Sequence, residues 1–169
     1  MAEKEFDKIT IQDLSERADV SRRTVYLHYE DKFDLLDQLI AEHIGNLERI
    51  CEDMDEDVDY ERAGRLWFEY FESAASFFSA LLTSKGSPFF RRHFLDFFIR
   101  ELEKGTPASA KTEQSVEIGR DVEMHFLGAA MVGIVEWWFQ NGRPYPPSTM
   151  ASRLGTLLER NAEAVLSST

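Results

Sequence analysis

Residues 118–140 read IGRDVEMHFLGAAMVGIVEWWFQ. Wound as a helix, this stretch is too apolar to sit on a core with one ordinary wet face. Met124, Leu127, Met131, Ile134, Val135 and Trp138 make a broad stripe, while Gly128, Ala129, Ala130 and Gly133 let another backbone come close. Two arrangements meet that demand. One is a helix buried inside a single chain. The other is pairing with a second copy, helped by a last helix, about 148–166, that offers Met150, Leu154, Leu157, Leu158 and Val165. The pairing predicts a four-helix homodimer interface built from Leu127, Met131, Ile134, Val135, Trp138, Leu154, Leu157 and Leu158. Charges interrupt the apolar runs well short of the roughly 18 residues a membrane helix needs.

The rest of the chain also reads as helix, with no alternating strand or hairpin pattern, so an all-α fold is expected. Thr10 precedes an apolar-periodic run and has Asp13 three residues on, a capping box with Asp in place of Glu, predicting a helix over 10–18. Asp19 tolerates a left-handed backbone and interrupts it. Ser21 caps a short helix over 22–28, and Asp31 caps a third that runs to about 51, with Leu35, Leu36, Leu39, Ile40, Ile44 and Leu47 as its stripe. Further helices are expected at 60–72, 74–84 and 88–103, broken at Ser84 to Pro88, with a loop over 105–117. Gly142, Pro144, Pro146 and Pro147 stop the long apolar helix.

The acid-rich stretch EDMDEDVDYE, 52–61, invites a calcium-loop reading. Val58 stands where such a loop needs glycine and Gly64 where it needs glutamate, so a solvated linker is expected. It divides the chain into 1–51 and 52–169. Cys51 is the single cysteine, which excludes an intrachain disulfide and a cysteine-based zinc site. Histidines 28, 43, 93 and 125 have no paired-ligand spacing, and no phosphate-cradling glycine loop occurs, so no metal, cofactor or catalytic residue is expected. The N-terminus has no signal-peptide core, which predicts a cytoplasmic protein without a membrane partner.

A net charge of −12 opposes indiscriminate coating of nucleic acid. A small basic and aromatic patch, DVSRRTVYLHYEDK at 19–32, stands out against it. Helix, turn at Asp19-Val20-Ser21 and short second helix make a helix-turn-helix, with Val20 and Val25 expected to pack inward against Leu14 and Ala18. The outer face then carries Arg22, Arg23, Tyr26 and, at its end, His28. Arginine pairs bidentately with guanine, and the hydroxyls of Thr24 and Tyr26 reach phosphates or base edges. Thr10 and Lys32 lie at helix starts, where backbone amides also favour phosphate.

The stretch ITIQDLSERADVSRRTVYLHYEDKFDLLDQLI resembles the DNA-binding domain of TetR-family transcriptional regulators, with a capping Thr, an A-G-V-S-like turn, a T-x-Y-x-H/Y-F recognition helix and a Lys opening the next helix. By that resemblance Ser21, Arg22, Arg23, Thr24, Tyr26 and His28 belong to the recognition element, and Thr10 and Lys32 are phosphate contacts. The family usually has Gly where this chain has Asp19. It also has a further helix before the capping Thr; only nine residues precede Thr10, so the first helix is expected to be shortened or missing. The segment GIVEWWFQNG resembles a subgroup that includes the activator of dihydroxyacetone kinase genes.

The resemblance implies a homodimer that binds a palindromic double-stranded DNA operator under control of a small-molecule effector. Phenylalanines 68, 71, 77, 78, 89, 90, 94, 97 and 98 are either plain core or the lining of an effector pocket; Phe71, Phe78, Phe94, Phe98 and His125 are the pocket candidates. The alternative is a dimeric helical protein, acting through a ligand or protein partner, whose shortened N-terminus does not bind DNA by itself.

Overall fold

The computed structural model describes residues 8–52, 60–83, 88–105 and 119–166. Among them are eight helices and no strands: α1 (Ile11–Arg17), α2 (Arg22–Tyr26), α3 (Lys32–Glu52), α4 (Tyr60–Ser73), α5 (Ala75–Thr83), α6 (Pro88–Gly105), α7 (Arg120–Gln140) and α8 (Pro147–Leu166). The fold is all-α. Residues 1–7, 53–59, 84–87 and 106–118, which hold most of the stub before Thr10, of the acid-rich linker, of the break at Ser84 to Pro88 and of the loop expected over 105–117, lie outside the described residues, as does the side chain of Val165, while Gly105 is the last residue of α6. The chain divides into two compact units, Met1–Gly45 and Asn46–Thr169.

In the first unit, local hydrogen bonds set each helix boundary. Asp13 Oδ2 accepts from the Thr10 amide at 2.9 Å, and Thr10 Oγ1 accepts from the Asp13 amide at 3.2 Å, closing the capping box. The C-terminus of α1 is a left-handed turn at Asp19, φ 54°; the Val20 amide donates to the Ser15 carbonyl at 3.0 Å and the Asp19 amide to that of Glu16 at 3.4 Å. That turn sends Val20 outward. Contrary to the sequence expectation, Val20 and Ala18 are exposed, and the buried residues are Val25, Leu36, Ile40, Ile44 and Ser15. The Ser15 hydroxyl donates to the Gln12 carbonyl at 3.0 Å, which meets its hydrogen-bonding need inside the core. Asp31 Oδ1 accepts from the amides of Phe33 and Asp34 at 2.8 and 2.9 Å and starts α3.

The second unit is built on aromatic rings. Phe68, Phe71, Phe78, Phe90, Phe94, Phe97, Phe98 and Trp138 are all essentially inaccessible to solvent. Phe68 meets Phe71 and Trp138 edge-on at 5.8 and 5.1 Å, and Phe71 meets Phe78 and Phe94 edge-on at 5.1 and 5.6 Å. Such T-shaped pairs satisfy ring quadrupoles as well as burying area. Helix α4 lies along α8, and α6 lies along α7. A Cβ on Gly64 would stand 3.5 Å from Ala151, and one on Gly155 would stand 3.6 Å from Glu61, so small residues set the α4–α8 approach.

Polar contacts tie the helices together. Arg91 of α6 pairs with Glu136 of α7 at 3.1 Å. Arg100 of α6 pairs with Glu48 in the last turns of α3 at 2.7 Å, and Asn46 of α3 donates to the Tyr70 hydroxyl of α4 at 2.8 Å. Helix α7 ends at Asn141 and Gly142, φ 68°, with the Arg143 amide donating back to the Trp138 carbonyl at 2.7 Å. Helix α8 starts one residue earlier than Ser148: Pro147 takes the first helical position, where a missing N–H has no intrahelical partner to lose.

Candidate nucleic-acid interface

Helix α2 has five residues, so its neighbours and its caps must hold it. Ser21 Oγ accepts from the Thr24 amide at 3.0 Å and shares a 2.8 Å hydrogen bond with the Thr24 hydroxyl. The helix ends at Tyr26 rather than at residue 28, and in the turn beyond it the Leu27 amide donates to the Arg23 and Thr24 carbonyls while the His28 and Tyr29 amides both donate to that of Val25. His28 therefore lies in the turn beyond the helix, its ring 6.3 Å from that of Tyr29.

Val25 is the one buried residue of α2 and anchors it. Arg22, Arg23, Thr24, Tyr26 and His28 are all exposed. Arg22 and Tyr26, four apart, share one face with Arg23 beside it. Neither arginine forms an ion pair among the described residues. Two cationic, five-donor forks thus stand free on a rigidly capped turn, the chemistry needed to grip phosphate or the guanine edge.

The remaining candidates have structural duties as well. Thr10 is the cap of α1, and its hydroxyl donates to Asp13 at 2.8 Å. Lys32 is half-buried; its ammonium donates to the Ile9 carbonyl at 3.0 Å and lies 5.3 Å from the centre of the Phe33 ring. Sequence reasoning missed two apolar neighbours of the patch, Leu27 and Phe33, both exposed. Phe33 falls on the helical stripe of Leu36 and Ile40, three and seven residues on, yet is exposed, so periodicity alone does not single it out, and Leu27 lies in the turn beyond α2.

The pocket candidates separate. Phe71, Phe78, Phe94 and Phe98 form one aromatic cluster, with Phe94 4.7 Å from Phe98 and 6.3 Å from Phe78. His125 is exposed, with its ring nitrogen 2.9 Å from the Asp121 carbonyl, and among the described residues it makes no ring contact with that cluster. The interface candidates divide too. Met131, Val135, Trp138 and Leu154 are buried within their own chain and offer a second copy almost no surface. Leu127, Ile134 and Leu158 are half-buried, and Leu157 is exposed.

Among the described residues no group of side chains could hold a metal ion, and no helix is long and apolar enough to cross a membrane. Cys51 is half-buried, and burial, followed by the Glu101 carboxylate, raises its thiol from 9.0 to about 12, far from the thiolate a nucleophile needs.

Comparison with known proteins agrees with this geometry. The family model for bacterial regulatory proteins of the tetR family matches residues 1–39, and that for a transcriptional regulator C-terminal region of the same family matches residues 64–160. The chain is 21% identical over 166 residues to an uncharacterized HTH-type transcriptional regulator of Bacillus subtilis (strain 168), YxbF. That alignment covers 95% of this chain, which spans 42% of the relative's length. Among solved structures, the dihydroxyacetone kinase operon activator DhaS superposes with a TM-score of 0.64 at 15% identity, over 95% of this chain and 88% of that one, a likeness of fold.

Proposed function

The chain belongs to the TetR family of transcriptional regulators, and from that premise we propose that it is a homodimeric repressor or activator whose α2 reads a palindromic operator. The observation that carries the reading is the free pair Arg22 and Arg23 on the exposed face of a helix anchored by Val25. A two-fold dimer presents two such helices to successive major grooves, roughly 34–36 Å apart. Arg22 and Arg23 supply guanine or phosphate contacts, with Thr24, Tyr26 and His28 beside them. Ser21, Thr10 and Lys32 hold the element in shape and turn helix starts toward the phosphates.

In this reading DNA contact falls to 1–51 and dimerisation with effector binding to 52–169. An effector shifts the DNA-competent population only through different affinities for two states. Phe71, Phe78, Phe94 and Phe98 contact one another, so an apolar effector using them has to part the rings.

The test is a fluorescence-anisotropy titration of the full chain with DNA from beside its own gene. Arg22→Ala with Arg23→Ala is expected to weaken binding by about thirtyfold or more, two contacts at the lower end of roughly 1–3 kcal/mol each. Equal binding by parent and double variant would remove α2 from the interface.

A further inference from the structure

Among the described residues Leu27 is the most exposed large apolar one, at 71%. It closes α2 with its backbone still helical, φ −73° and ψ −22°, and its amide donates to the Arg23 carbonyl at 3.1 Å. The helical repeat therefore still sets its direction. Two residues past the buried Val25 it is turned by about 200°, so it faces almost directly away from the core. Arg23, four residues back, stands on the same ridge. Tyr26 beside them is 58% exposed. The outermost line of the element is a guanidinium followed by an isobutyl group.

A single exposed leucine is ordinary on a protein surface. This one occupies the ridge that carries the arginines, and with most of it in solvent it contributes little to its own core. It has no donor for a phosphate. A phosphate set against it would lose water and gain no hydrogen bond. In the major groove the base pairs offer one apolar group that a leucine can meet, the C5 methyl of thymine.

Charge points the same way. The first unit, residues 1–45, holds six Lys and Arg against eleven Asp and Glu. Few cations are available to displace counterions from the DNA backbone, so attraction to phosphate is weak and binding rests more on base edges. Apolar contact with a base edge draws nothing from charge and suits an acidic unit.

Resting on the reading of α2 as the operator-contacting helix, we infer that Leu27 recognises thymine through its C5 methyl and is a specificity-determining residue of the element. Four residues of helix advance about 6 Å from Arg23 to Leu27, and stacked base pairs lie about 3.4 Å apart. The thymine therefore sits one or two base pairs from the base that Arg23 meets. Cytosine in its place lacks the methyl group, and 5-methylcytosine restores it.

The test uses the full chain and the DNA fragment from beside its gene, made once with thymine and once with deoxyuridine at every thymine. The two bases pair alike and differ only in the C5 methyl. The parent is expected to bind the deoxyuridine fragment about fourfold more weakly or worse, the worth of about 0.8 kcal/mol for one buried carbon. That ratio should hold from roughly 50 to 200 mM salt even as both affinities fall. Leu27→Ala should bring the two fragments to nearly equal binding while melting as the parent does, because the side chain is exposed. Arg22→Ala with Arg23→Ala should weaken binding to both fragments and keep the ratio. Equal binding of the two fragments by the parent, or a ratio that Leu27→Ala leaves unchanged, overturns the thymine contact; α2 stays on the DNA if the arginine double variant is still weakened. A parent whose binding neither the arginine pair nor Leu27 alters defeats both readings.

Discussion

The indole N–H of Trp67 donates to the sulfur of Cys51, 3.2 Å away, and the Cys51 thiol donates onward to the Leu47 carbonyl at 3.3 Å. The sulfur is thus fixed as a protonated thiol between α3 and α4. With its ionisation raised from 9.0 to about 12, its thiolate fraction at pH 8 is about a thousandfold below that of an unperturbed cysteine. Alkylation of the native chain by iodoacetamide should be slower by a similar factor and should accelerate on unfolding. The sign for stability follows. Below pH 9 both states hold the proton. Between pH 9 and about 12 the unfolded thiol ionises while the folded one does not, so stability declines with rising pH, and Cys51→Ala should flatten that decline in denaturant titrations.

Lys32 and Arg22 should separate folding from DNA binding. Replacing Lys32 with alanine frees the Ile9 carbonyl as well as removing a charge, and should cost about 1 kcal/mol in denaturant melts. Arg22→Ala touches no described partner and should change stability by less than about 0.5 kcal/mol. Equal melting of the two variants would show that the Lys32 contact to Ile9 contributes nothing.

Asp19 sits at φ 54°, where glycine is at ease. Asp19→Gly should stabilise the first unit by about 0.5 kcal/mol, the relief of strain exceeding the added freedom of the unfolded chain. Asp19→Val should destabilise it by about 1–2 kcal/mol. Thermal melts of the full chain give both values.

Two helix-interior glycines should respond oppositely to alanine. At Gly45 in α3 nothing lies within 4 Å of a would-be Cβ, so Gly45→Ala should stabilise by about 0.5–1 kcal/mol. At Gly128 the new methyl meets Ile99 at 2.9 Å and Leu95 at 3.1 Å, and Gly128→Ala should lose stability as α6 and α7 are pushed apart. Urea midpoints decide between them.

Periodicity and caps made most of the fold legible. Thr10, Ser21 and Asp31 announce the starts of the first three helices through chemistry local to three or four residues, and the structure has those bonds. Arg22 and Arg23 stood out because a basic pair is conspicuous beside so many acids. Burial was harder to read. Val20 looks like a core residue, yet the left-handed turn at Asp19 rotates it outward, a three-dimensional effect absent from the residue type. In 118–140 the stripe chosen from sequence overlaps the intrachain core, because an all-round apolar helix does not say which of its two faces its own chain will use. Phe126 and Trp137 lie on the face that stays exposed once the other is assigned inward.

The neighbouring tryptophans of α7 have opposite fates: Trp137 is 44% exposed and stacks on Tyr145, while Trp138 is fully enclosed and donates to the Tyr145 carbonyl at 2.8 Å. One emitter is therefore within reach of acrylamide and the other is sheltered. The chain carries a built-in optical gauge: whatever settles over α7 should silence the quenchable, red-edge part of its fluorescence and leave the blue part unmoved.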